Sequence, residues 1–390
     1  MAAESLRGRR LWRSGRARRM ATQAGFSVLL LIFLAYMVER ASHLDLDIGF
    51  MDAPAGFQIS HTFVFGFDSG ESRLAAYFVA VTNTIRLVVV GILLATVIGV
   101  LAGVARLSDN WLVSRIATVY VEVVRNTPLL VQIIFWYTAV FLKLPRIEAE
   151  RSLFDVAFLS NRALALPWPE PRGDFFTAWV IVLALALVPG YFVRRIRARR
   201  EAETGQTMRP NLYSLGVVLG IAAIGFLVLG LPVGIDTPTI VSEEFTKGYV
   251  GGLSVTPEFA ALLIALVMYT GSFIAEIVRG SIQALPRGQT EAAMAVGLTG
   301  YQRITLVILP QALRSMIPSL TNEYLNLTKN SSLAAAIAYA DLFQISEIII
   351  NKAGHAVVMF IIVIITYQVM SFTISAFMAF INRRVQLVGA

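Results

Sequence analysis

Apolar residues run along this chain in long blocks, separated by short polar or basic stretches rather than alternating with them. A membrane helix needs about 20 predominantly apolar residues, with a range of about 17–25. Eight blocks are read as spans: residues 25–38, 77–105, 116–141, 175–193, 212–231, 258–278, 309–328 and 356–381. The first is short, the second and third are long enough to tilt or bend, and the seventh is the least apolar. The predicted fold class is an all-α membrane protein of about eight transmembrane helices. A basic region precedes the first block, as in a signal peptide. No small-x-small cleavage pattern follows it, because the chain runs Met37-Val38-Glu39-Arg40. The block is therefore read as an uncleaved helix.

Composition supports this reading. Of 390 residues, 56% are hydrophobic and 15% charged, against about 25% charged in an ordinary soluble domain. The mean hydropathy is +0.69. Such a chain cannot cover its own surface with polar groups, which excludes a soluble enzyme, a disordered tail protein and a fibre. The net charge of +8 lies in blocks between apolar runs, so it reports membrane orientation and not a nucleic-acid partner. Arg7, Arg9, Arg10, Arg13, Arg16, Arg18 and Arg19 precede the first span; Arg194, Arg195, Arg197, Arg199, Arg200 and Arg209 separate the fourth from the fifth. With Arg314 counted at the start of the seventh span and Arg86, Arg125 and Lys329 left out as lying in spans, 21 Lys and Arg fall on that side of the membrane and 9 on the other. Both termini are thereby predicted in the cytoplasm. The loops 142–174 and 232–257 are read as non-cytoplasmic connectors, with Trp168 and Trp179 as interface anchors.

Several chemistries are missing. With no cysteine, disulfides, thiolate nucleophiles and Fe–S clusters are impossible. His43, His61 and His355 form no ligand-spaced pair, so no metal site is read. There is no Gly-x4-Gly-Lys-Ser/Thr phosphate loop, no Gly-x-Ser-x-Gly elbow and no His-Glu-x-x-His pair. The chain is read as a non-enzyme, and any ATP used must be hydrolysed by another chain.

The segment between the sixth and seventh spans is the most informative. Pro286 and Gly288 are expected to end the helix leaving the membrane. Thr290-Glu291-Ala292-Ala293-Met294-Ala295-Val296 then holds good helix formers, with Thr290 as the cap, and Gly297 ends it in a left-handed turn. A second short helix is expected from about Tyr301 toward Pro310. Small alanines admit a close partner and Glu291 supplies one charge for registry. The plain alternative is an ordinary connector.

The spacing Glu291-Ala292-Ala293-x3-Gly297-x9-Val307-x-Leu309-Pro310 resembles the ATPase-coupling motif of ABC-importer permeases, with Val307 where Ile is usual. The flanks Ala275-Glu276-Ile277-Val278-Arg279-Gly280 and Leu309-Pro310-Gln311-Ala312-Leu313-Arg314 are similar to the polar-amino-acid branch of that family. So are Arg125-Asn126-Thr127-Pro128 and Lys329-Asn330-Ser331-Ser332-Leu333. One helix before a five-span core and a helix pair inserted within it resemble the first permease subunit of bacterial general L-amino-acid transporters, including the glutamate/glutamine/aspartate/asparagine type. The resemblance implies a second permease chain, a cytoplasmic ABC ATPase dimer holding ATP and Mg, a periplasmic amino-acid-binding protein and the bacterial inner membrane. It implies no cofactor in this chain. An ion-coupled secondary amino-acid transporter is the competing class. The domain reading is a basic tail 1–24, an extra helix and loop 25–76, a first core part 77–141, loops with the inserted pair 142–256, and a second core part 257–390 holding the cytoplasmic coupling loop 280–310.

Charges at membrane depth are costly, so they usually face protein or water. Arg86 lies in the outer part of the second span near Asn83 and Thr84, and snorkelling to the headgroups is one account of it. Glu122 and Arg125 stand three apart and share a helix face, so a pair between them is expected. Steps of three and four place Asn322, Asn326, Lys329 and Asn330 on one polar face of the seventh span, with Glu323 beside them. The candidate translocation path is Arg86, Arg125, Glu323, Asn326 and Lys329. The other reading makes these groups inter-helix glue.

Overall fold

The computed structural model describes residues 15–42, 47–59, 62, 66–147, 152–153, 156–205, 208–243 and 246–385. Arg7, Arg9, Arg10, Arg13, His43 and His61 lie outside the described residues. The chain divides into two compact units, residues 1–80 with 345–369, and residues 81–344 with 370–390.

Six helices among the described residues are long and apolar enough to cross a membrane. They are α2 (Arg73–Ala105), α5 (Gly173–Thr204), α6 (Pro210–Val228), α7 (Pro257–Gln283), the stretch Gly300–Ile337 containing α9 (Gly300–Arg303) and α10 (Leu309–Asn330), and α12 (Ala356–Val385). The first predicted span lies inside α1 (Gly15–Ser42), whose apolar part is Arg19–Phe33, and part of the third lies in the shorter apolar helix Leu129–Lys143. Shorter helices are α3 (Trp111–Arg125), α4 (Leu129–Phe135), α8 (Arg287–Ala295) and α11 (Leu342–Ala353).

The third span is not one continuous helix. Asn110 caps α3 by accepting from the amides of Leu112 and Val113, and α3 ends at Arg125. Pro128, extended at φ −56° and ψ 135°, then opens α4. A residue before proline is pushed out of the helical region, so Thr127-Pro128 forces the break that hydropathy alone does not see. Gln132 bridges it: its Nε2 donates to the carbonyls of Val124 and Thr127, both at 2.9 Å. Beyond α4 the helix widens into a π turn over Trp136–Val140.

Among the described residues, the loops read as connectors hold eight short strands. β1 (Ser152–Leu153), β2 (Ala157–Leu159), β3 (Leu164–Leu166) and β8 (Leu253–Val255) form one antiparallel sheet. β4 (Trp168–Pro171) pairs with β5 (Val233–Asp236), and β6 (Thr239–Glu243) with β7 (Thr246–Val250). Leu166 sits opposite Leu253, and Pro171 opposite Val233. The inserted helices α5 and α6 therefore leave and rejoin the chain through two successive strand pairs. Trp179 Nε1 donates to Ala222 O at 2.9 Å, joining α5 to α6.

Within the second unit, α2, α7 and α10 pack closely. Lipid tails are as apolar as Leu, so contact quality rather than water exclusion holds membrane helices together. Gly99 and Gly103 bring α2 against α7. A Cβ at Gly99 would fall 2.5 Å from the side chain of Ile274, and one at Gly103 2.7 Å from Ala275 O. One buried apolar cluster joins Val88 and Ala95, Ile274 and Val278, Met316, Ile317 and Leu327, and Met378. Another joins Leu87, Ile133, Leu262, Leu266 and Ile337. The hydroxyls of Thr96 and Tyr324 meet at 2.8 Å between α2 and α10.

Candidate coupling and translocation site

The segment 286–310 folds as a short helix, a left-handed turn and a second helix. α8 begins at Arg287 with Pro286 as its cap. Thr290 is thus inside the helix and caps nothing, and Gly288 lies in the first turn instead of ending the previous helix. Proline fits a helix start because the amides there lack intrahelical partners anyway. Gly297 has φ +77°. Its amide donates to Met294 O at 2.9 Å and that of Leu298 to Ala293 O at 3.1 Å, the pair of bonds that closes a helix through a left-handed residue. Thr299 then caps α9 in a reciprocal box with Gln302.

The second helix does not stop near Pro310. It widens into a π turn at Ile304–Ile308 and continues as α10 to Asn330, with Pro310 in the first turn of that stretch. Proline lacks the amide for an i→i−4 bond and its ring crowds the preceding turn, and the widened turn accommodates it. Residues 300–310 are therefore a direct extension of the seventh span.

On the surface of the segment 286–310, Glu291, Ala292, Gly297 and Leu309 are exposed, Val307 and Pro310 are half-buried, and Ala293 is buried. Large apolar side chains accompany them in the open: Val296 is 75% exposed and Tyr301 79%. A recess of about 430 Å³ beneath α8 is lined by Ile282, Leu285, Thr290 and Ile308. Gln311 Nε2 donates to Gln289 Oε1 at 3.1 Å, tying α8 to α10.

The charges inside the spans form two separate groups. Arg86 packs against protein. It is half-buried and stacks on Phe259, with its guanidinium carbon 4.4 Å from the ring centroid. Nearby, Asn83 Nδ2 donates to Ala340 O at 3.0 Å and Thr84 Oγ1 accepts from Leu342 N at 2.8 Å. Those two polar residues hold the chain after α10 in place.

The second group centres on Glu276, which hydropathy and spacing did not single out beyond its place in the family flank. Arg106 and Arg279 both hydrogen-bond its carboxylate. Arg125 is 3.8 Å from it and lies 4.8 Å from the Phe273 ring centroid. The expected pair between Glu122 and Arg125 is absent among the described ion pairs; Arg125 faces Glu276 because it is the last helical residue of α3 and turns toward α7. Glu323 lies within electrostatic range of Arg125.

α10 divides cleanly. Ala312, Met316, Ile317, Leu320, Tyr324, Leu327 and Thr328 are buried, while Asn322, Asn326 and Lys329 are exposed and Glu323 and Asn330 half-buried. Asn322, Glu323, Asn326 and Lys329 thus share one face of α10, Arg125 stands with Glu276 and within electrostatic range of Glu323, and Arg86 stacks on Phe259.

A largely helical chain with six described helices long and apolar enough to cross a membrane, one of them continuing into the short helices of residues 286–310, has the architecture of a multi-pass membrane protein. The chain belongs to the family of binding-protein-dependent transport system inner membrane components, whose pattern matches residues 221–387. It is 41% identical over 372 residues to the general L-amino acid transport system permease protein AapQ of Rhizobium johnstonii, covering 93% of this chain and 91% of that one. It is 39% identical over 340 residues to the putative amino-acid ABC transporter permease protein YhdX of Escherichia coli, covering 87% and 85%. With the glutamate/glutamine/aspartate/asparagine transport system permease protein BztB of Rhodobacter capsulatus the identity is 36% over 398 residues, covering 92% of each. Among solved structures, an amino acid ABC transporter crystallised with histidines aligns with a TM-score of 0.47 at 20% identity, over 80% of this chain and 94% of that one.

Proposed function

We propose that this chain is one of two permease subunits of an ATP-driven importer that carries L-amino acids across the bacterial inner membrane. The observation that carries this reading is the match to a general L-amino-acid permease over nine-tenths of both chains, inserted helices included. Both termini lie in the cytoplasm in this account, on the side favoured by the 21-to-9 division of basic residues.

The chain performs no chemistry. ATP and Mg bind a cytoplasmic ATPase dimer, and a periplasmic protein delivers the amino acid. α8 is the knob that enters the ATPase: exposed Ala292 permits close approach, Glu291 sets registry against a cation, and Val296 and Tyr301 supply apolar contact. Because α10 continues from this knob, closure of the ATPases moves the polar face of Asn326, Lys329 and Glu323. That face, with Arg125, lines the path shared with the second permease. A guanidinium or ammonium suits the amino acid's carboxylate and Glu323 its ammonium group. Switching between outward and inward access follows from whichever state the ATPases and the binding protein favour.

Uptake of radiolabelled L-glutamate and L-glutamine into vesicles holding the assembled complex tests the reading. Uptake should stop with vanadate or without internal ATP and should survive collapse of ion gradients. Uptake that ignores vanadate and follows an ion gradient would point to a secondary transporter and sink the proposal.

A further inference from the structure

The inserted pair α5–α6 has no part in the coupling described above. We infer that it is a lipid-binding module: Arg194, Arg195, Arg199 and Arg200, exposed around the protruding end of α5, form a collar for the phosphate headgroups of anionic phospholipids.

The hairpin is closed by its own contacts. Ser214 Oγ donates to Gly190 O at 2.8 Å, and Val218 packs where a side chain at Gly190 would stand. Arg197 lies 3.3 Å from the Tyr213 ring centroid and donates to Met208 O at 3.1 Å. This leaves Arg197 committed to holding the two helices together. The remaining faces are apolar and open, with Ile181, Leu185, Phe192 and Leu219 all more than half exposed. Hydrocarbon is the medium that such a surface fits.

The apolar part of α5, residues 175–193, has the length of a bilayer core, about 30 Å. The helix then continues to Thr204, about 16 Å further at 1.5 Å per residue. Four arginines stand on the first two turns of that extension. All four are exposed, and among the described residues their guanidinium groups have neither ion-pair nor hydrogen-bond partners. Between 194 and 209 there are six arginines against two carboxylates, Glu201 and Glu203. Guanidinium groups match phosphate geometry through paired N–H donors. They stand at the depth where headgroup phosphates begin, and the chemistry they complement is the phosphodiester anion of a lipid held by its acyl chains along α5.

The test uses the complete complex in nanodiscs of phosphatidylcholine containing a minor share of spin-labelled phosphatidylglycerol. The immobilised fraction measures binding. A basic residue near an anionic surface contributes about 1 kcal/mol, or about fivefold. Arg199→Gln with Arg200→Gln should therefore reduce selective retention of phosphatidylglycerol by about 30-fold if both act fully. The Lys pair at the same positions should retain most of it, and Arg383→Gln with Arg384→Gln should change little. Millimolar glycerol phosphate should not displace the lipid, and displacement would show a free-phosphate site instead. Unchanged retention in the Gln pair would overturn the inference. So would an efficient cross-link from Leu219→Cys to the second permease, which would make the open face a protein interface. Nanodiscs expose both leaflets alike, so the result does not depend on which way the hairpin points.

Discussion

Three arginines converge on Glu276 from the end of α2, the end of α3 and the next turn of α7. The side chain of Arg106 is 11% exposed and that of Glu276 30%, so the group is shielded but not dry. Charge-assisted hydrogen bonds in such a setting are each worth about 1.5–3 kcal/mol, and exposure lowers that toward the surface value. Glu276→Gln should remove the anion and leave three cations together. The expected cost is about 1–3 kcal/mol, read as a lower unfolding temperature of the purified complex. Arg106→Gln should cost less in that background than in the native chain, because its partner is already gone. Equal costs in both backgrounds would show that the pair is not coupled. This group was only partly legible in the sequence. Arg125 and Glu122 share a helix face by spacing, but the direction Arg125 takes depends on α7, which is distant in sequence. The polar stripe of α10 was legible because all its members lie on one helix.

At the scale of elements, the third span and the coupling segment show what hydropathy misses. An apolar average runs straight through Thr127-Pro128, whereas the proline's geometry ends α3 two residues earlier. In the coupling segment the Gly297 turn was readable, since few residues other than glycine close a helix at positive φ. The start of α8 was misplaced because Thr290 outranks Pro286 as a side-chain cap, yet proline opens a helix by its fixed φ alone. The contact of α2 with α7 was not read at all: Gly99 and Gly103 stand four apart in an apolar run, and only the partner helix shows their use. Gly99→Ala should force backbone and Ile274 apart, at a cost of about 1–3 kcal/mol for overpacking. Gly91→Ala should be mild, because its methyl would meet Leu327 at an ordinary 3.4 Å. Thermal unfolding of the two variants side by side checks this, and equal stability would contradict the close-packed helix pair.

For the whole molecule, span positions were legible because the bilayer imposes one length scale on every block. The short strands at the base of the inserted hairpin were not, being two to five residues long and defined by partners up to 91 positions away, as Val255 is from Leu164. Their effect is to return the chain to its core after the insertion, so that α7, α8 and α10 follow one another as a series. The central claim is that this series transmits ATP hydrolysis through the turn at Gly297. A side chain there meets no neighbour within 4 Å but must adopt φ +77°, a conformation costing most L-residues about 1–2 kcal/mol and Asn less. The decisive measurement is substrate-stimulated ATP hydrolysis by the reconstituted complex carrying Gly297→Asp or Gly297→Asn. The account predicts at least a tenfold loss for Asp, from a new negative charge on the exposed turn added to the modest strain that Asn shares, a smaller loss for Asn, and normal membrane insertion of both. Full stimulation and uptake by the Asp variant would contradict it.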